Sequence, residues 1–188
     1  MKYAILFGLS LSYAVVRYCV FGTVLTANLP CFVTNKAVAV ASVLALLAAA
    51  FNTFRGRSEH QRSWFAFFKV SLLVHVLLSI FLLSPAYFPK LYDAGKLNLY
   101  GELFMLFGVI AVVLLMLKTL VKELTVRPQV LQVVSLGAIA LHQFFLGCRG
   151  WLAWTEWPGH MPPISMLGFS ATLVAMTFCI VGIGSKRE

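Results

Sequence analysis

Two histidines stand where lipid-compatible residues are expected. His75 lies in the run 70–78 and His142 in the run 136–145, both otherwise almost entirely apolar. An ionisable side chain at that depth costs enough that a functional role is the first explanation to consider. Two imidazoles at matching depth are what the iron of a low-spin haem b requires as its axial pair. The plainer alternative is that each ring hydrogen-bonds a neighbouring helix inside a bundle.

Counting from the ends of their apolar segments puts the two rings level. His75 precedes Leu83 by eight residues, about 12 Å of helix, and His142 precedes Gly147 by five, about 8 Å. If both segments run the same way, the rings agree to within about one turn. Ser71 and Ala138 each sit four positions earlier, on the same helical face, where small side chains would leave space for a macrocycle. Arg17 and Arg149 fall near the same level, able either to bind haem propionates by charge-assisted hydrogen bonds or to snorkel to headgroups. Lys69, six residues before His75, either snorkels the opposite way or meets a quinone headgroup. His160 belongs to a loop and could titrate near neutral pH as a proton carrier.

These residues must be positioned by membrane helices. The chain has 188 residues, 61% hydrophobic and 11% charged, which is far from the composition of a soluble domain. Apolar runs of about 20 residues mark spanning helices. Six are expected, at roughly 3–22, 36–54, 64–83, 98–121, 129–147 and 163–183, giving an all-α, six-helix polytopic bundle in a single domain. The first segment shows no small-residue cleavage site and is expected to be a retained helix. The second, rich in alanine, should be a closely packed interior helix, with Thr34 or Asn35 capping its first turn.

The formal charge of +9 does not indicate nucleic acid, because the basic residues are spread over the loops. With the N-terminus in the cytoplasm, Lys2, Arg55, Arg57, Arg62, Lys118, Lys122, Arg127, Lys186 and Arg187 fall inside, and only Lys36, Lys90, Lys96 and Arg149 outside. That bias orients both termini to the cytoplasm. The expected location is the plasma membrane of a bacterium or archaeon. In the longest outer loop Trp151, Trp154 and Trp157 recur every three residues, so a helical turn would align them as an aromatic belt or as the wall of a cofactor or quinone pocket. Cys31 and Cys148 could pair across two outer loops or remain buried thiols. The scattered acidic residues offer no carboxylate pair for hydrolysis. No dinucleotide fingerprint occurs, so an electron carrier of this kind needs a partner to supply and receive electrons.

The arrangement resembles the ferric-reductase-like transmembrane domain, whose third and fifth helices each carry two histidines and together hold two stacked b-type haems. Gln61 precedes His75 by 14 residues and Gln129 precedes His142 by 13, intervals similar to that family's, and Gln61-Arg62 looks like its His-Arg dipeptide with the histidine replaced. The likeness covers about residues 36–147. It implies one haem b on His75 and His142, in the outer leaflet, and no inner haem. The expected function is a cytochrome b-like electron-transfer subunit between a quinone pool and a redox protein or larger complex at the outer face. The alternative is a bundle without cofactor that serves as a structural or assembly subunit of a larger membrane complex.

Overall fold

The computed structural model describes residues 1–22, 28–120 and 128–184, without the side chains of 118–120, 128–129 and 183–184. Lys122, Arg127, Lys186 and Arg187, and the side chains of Lys118 and Gln129, therefore lie outside what is described. Among the described residues six helices are long and apolar enough to cross a membrane. They are α1 (Lys2–Val15, continued by a π-helical turn Val16–Val20), α2 (Leu29–Phe54), α3 (Ser58–Leu82), α4 (Leu99–Leu120), α5 (Pro128–Trp151) and α6 (Ile164–Gly184). The chain is an all-α bundle of six such helices, as expected of an integral membrane protein.

Contacts between helix ends show how the chain runs. Tyr3 near the start of α1 meets Trp64 edge-on and stacks on Phe67, both near the start of α3. Tyr13, a few turns on, donates to the Pro162 carbonyl just before α6 (2.6 Å). Phe54 at the end of α2 meets Phe178 near the end of α6, and Trp151 at the end of α5 donates from Nε1 to Ser165 Oγ at the start of α6 (3.1 Å). Consecutive helices are therefore antiparallel. One end of the bundle carries Met1 and the turn at 55–57, and is called here the terminal end. The other carries residues 83–98 and 152–163, and is called the hairpin end.

Helix α2 is the hub. It packs against α1, α3 and α6, while α5 packs against α4 and α6. Val33, Ala37, Ala41, Ala45 and Ala49 recur every fourth residue and are all buried, a ridge of small side chains that lets neighbouring backbones close in. In its most apolar window 56% of residues are buried, against 17% for α3 and α4, whose Leu73, Leu77, Leu106 and Val109 face outward as a lipid-facing surface should. The interior position expected for this helix is thus what forms. Its start differs: Pro30 in the first turn lets α2 begin at Leu29, two turns before residue 36, so Asn35 is an interior residue and not a cap. The same extension brings Lys36, expected in an outer loop, into the helix.

The hairpin end is closed by a small plug. Tyr92–Asp93 (β1) pairs antiparallel with Lys96–Leu97 (β2) through Ala94 and Gly95, both at positive φ, as a two-residue hairpin turn requires. Asn98 Oδ1 then accepts from the Gly101 N–H (3.0 Å), capping α4. Leu82, Phe88, Leu91 and Phe104 bury together beneath this hairpin.

Candidate functional site

Beneath the plug, α2, α3, α4 and α5 each contribute polar or aromatic groups to one cluster. His75 on α3 donates from Nδ1 to Asn35 Oδ1 on α2 (2.7 Å), and the Asn35 amide donates in turn to Ser79 Oγ, one turn beyond His75 (3.2 Å). Asn35 is 1% exposed, and its amide finds its hydrogen-bond partners in these two side chains. Such a residue is a poor choice for a helix interior unless a partner across the interface requires it.

His142 on α5 is held from α4. Its Nδ1 donates to the Phe104 carbonyl (2.9 Å), and its ring stacks on the Phe104 ring with centroids 4.2 Å apart and planes 26° from parallel. A carbonyl oxygen within a helix already serves the amide four residues on, here that of Gly108. A Cβ at position 108 would come within 2.7 Å of the imidazole Nδ1, so glycine is what lets the ring approach that carbonyl. Gln143, the next residue, turns instead to α6, where Gly168 makes room for it and Oε1 is buried without a partner.

The two histidines thus share a design. Oxygens that accept from Nδ1 fix the proton there and leave the lone pair on Nε2, the tautomer in which imidazole ligates a metal. No hydrogen bond to either Nε2 occurs among the described residues, and both rings are half-buried rather than sealed. Helices α3 and α5 are not among the closely packed pairs, as two helices must not be if a metal is to sit between their side chains. On these grounds the two side chains present the donor chemistry of a bis-imidazole pair. Ser71 and Ala138, four positions before each histidine, are both buried.

Lys36 completes the cluster. Its Nζ lies 4.5 Å from the centroid of the Phe88 ring and 4.9 Å from that of Phe32, a cation held over two aromatic faces.

The other sequence candidates are placed elsewhere. Arg17, 6% exposed in the π-helical turn, donates from Nη1 to the Met161 carbonyl and lies beside the Tyr18 ring, fastening α1 to the loop before α6. Arg149 is exposed, with its guanidinium 3.9 Å from the Tyr100 centroid, two turns beyond His142 on the same face of α5. Lys69 is exposed and reaches back over Phe65, toward the terminal end, as a snorkelling side chain does. His160 is exposed at positive φ in the loop before α6. The three tryptophans do not form one face: α5 ends at Trp151, Trp154 is exposed on a short 3-10 turn, and Trp157 donates back to the Gly150 carbonyl (2.9 Å). Cys31 and Cys148 are half-buried and not bonded to each other.

Asn35, Lys36 and Gly108 escaped sequence reasoning. The available signal was the pair Asn35-Lys36 followed by an unbroken apolar run, which reads as a helix start until Pro30 is recognised as an earlier one. No protein-family model matches the chain, and no curated protein or solved structure shows significant similarity to it. The fold and the cluster define a class, an integral membrane bundle with a polar, two-histidine site near one end.

Proposed function

We propose that the chain is a membrane electron-transfer subunit of cytochrome b type, with His75 and His142 as axial ligands of one haem b. The observation that carries this reading is the matched tautomer, since each imidazole is tied through Nδ1 to an oxygen on a different neighbouring helix and each leaves Nε2 without a protein partner. Haem b bound there would supply a one-electron couple, and two imidazole ligands favour electron transfer over oxygen chemistry. Asn35 and the Phe104 carbonyl orient the ligands and raise their basicity, as outer hydrogen bonds to metal-bound histidine do. Phe88, Leu91 and Phe104 exclude water from the hairpin side. The membrane quinone pool and a redox protein or complex at the outer face are the proposed exchange partners, with both termini in the cytoplasm and the site in the outer leaflet. The resemblance to the ferric-reductase-like transmembrane domain supports the same assignment.

The test is a dithionite-reduced minus oxidised visible spectrum of the purified protein, with pyridine haemochrome quantification. About one b-type haem per chain is expected, and its loss in His142→Ala with the fold intact. A wild-type protein with no visible absorbance sinks the reading.

One observation favours a second reading. Both rings already tie helices together, His75 joining α3 to α2 and His142 joining α5 to α4. A structural or assembly subunit without cofactor would use them so. Purified protein would then carry no haem, and His142→Ala would weaken the bundle without removing any spectrum.

A further inference from the structure

Building on the haem reading, we propose that Lys36 binds the acidic group of the ligand at this site, the propionate carboxylate in the case of haem b. Arg17 and Arg149 are the candidates that sequence suggests for this role. Arg17 is anchored through Nη1 to the Met161 carbonyl in the loop before α6, its Nε left without a partner among the described residues, and Arg149 lies exposed over Tyr100. Lys36 is inside the cluster. It follows Asn35, the residue that holds His75, and its ammonium rests on Phe88, whose ring lies 6.4 Å from that of Phe104, on which His142 stacks. One cation therefore stands between the two histidine-holding arrangements.

The charge balance indicates what it awaits. Aromatic faces hold an ammonium but do not neutralise it. The carboxylates among the described residues, Glu59, Asp93, Glu102 and Glu156, are all exposed, and none pairs with Lys36. Imidazoles tied through Nδ1 bring no negative charge. The cluster holds two neutral ligands, one cation and no anion, in a setting where an unpaired charge is costly. A ligand that presents two axial positions to imidazole and a carboxylate to an ammonium satisfies all three residues.

The experiment compares wild type, Lys36→Met and Lys36→Arg as purified haem-containing proteins. One readout is the rate of haem transfer to excess apomyoglobin, and the other is the midpoint potential of the b-type band. Loss of a charge-assisted contact should speed transfer on the order of tenfold in K36M. Removing a positive charge near the iron disfavours the reduced form, so the midpoint should shift down. K36R should stay close to wild type in both. Equal transfer rates and equal midpoints in wild type and K36M overturn the assignment. If K36M does not fold, wild type emptied by apomyoglobin is refilled with haem b or its dimethyl ester. Faster loss of the ester supports Lys36, and equal retention overturns it. A wild-type protein without haem overturns the haem reading itself, a result distinct from either of these.

Discussion

Along α5, Leu136 and Ile139 are buried in an apolar core with Phe68 of α3, whereas one turn further on His142 meets a carbonyl, an aromatic face and a glycine. Helix α3 changes in the same direction, from Phe68 at 1% exposure to His75 bonded to Asn35. The same pair of helices is therefore built from different materials at its two ends. Toward the terminal end, alanines and cysteine from α2, α4 and α6 close around large side chains, and the volume is filled. Toward the hairpin end, His75, Asn35 and His142 are each oriented by a group on a neighbouring helix. The contrast shows how one bundle keeps a defined shape and still leaves ligand-type atoms unspent. The packed half fixes where the helices are, and the polar half uses that placement.

The largest break of this comparison is Phe68→Ala. Removing a fully buried aromatic from the packed half should cost about 3–5 kcal/mol of stability, because the surrounding helices relax only partly. Denaturant titration in detergent micelles measures it. The spectrum of any haem retained by the folded fraction should be unchanged, since among the described residues Phe68 makes no ring contact with either histidine. A shifted band at unchanged stability would contradict the division into two halves.

Gly108→Ala attacks the other half. A Cβ there collides with the His142 ring, so either α4 and α5 separate or the imidazole leaves the Phe104 carbonyl. Overpacking of this kind costs about 1–3 kcal/mol. Unlike F68A, it should also disturb the haem band and weaken retention. An intact spectrum with ordinary retention would mean that the Phe104 carbonyl does not govern His142.

The helices themselves were legible because hydropathy averages over many residues, so an error at one position hardly moves a span. The level expected for His75 and His142 rests on a related constancy, the fixed rise per residue once a helix is granted. Neighbour relations were not. Nothing in the run Ala37–Ala50 says that α2 touches α1, α3 and α6 at once, although its alanines announced close packing. Asn35 and Lys36 were misplaced by a boundary, the least determined part of any apolar segment. Gly108 was one glycine in an apolar run until the ring that needs it came from another helix. Arg17 was correctly placed near the hairpin end, but its partner Met161 is 144 residues away in sequence.

Two asparagines on α2 sharpen the contrast at smaller cost. Asn35→Ala removes the acceptor for His75 Nδ1, and loss of such an outer hydrogen bond typically weakens metal-site affinity by about 10–100-fold. Asn52 near the terminal end donates only to the Ala48 carbonyl of its own helix (2.7 Å), so Asn52→Ala should stay within about 0.5 kcal/mol of wild type and leave retention unchanged. Haem transfer to apomyoglobin compares the two directly. Similar rates in both variants would remove the special role given to Asn35.

The smallest expected effect tests whether polarity alone distinguishes the two ends. Gln132, on α5 in the packed half, donates from Nε2 to Cys179 Sγ at 3.3 Å. Sulfur is a weak acceptor, so this hydrogen bond contributes less than about 1 kcal/mol. Gln132→Leu keeps most of the volume and exchanges that bond for apolar contact with residues that are already apolar. Stability in detergent should therefore change little, in either direction, and the haem band and its midpoint should not move. A polar residue at this end is an accommodated exception, whereas at the hairpin end Asn35 and the Phe104 carbonyl each position a histidine. If Q132L instead sped haem transfer as strongly as Asn35→Ala, the two halves would be one coupled unit, and the packed core could no longer be treated as a passive frame.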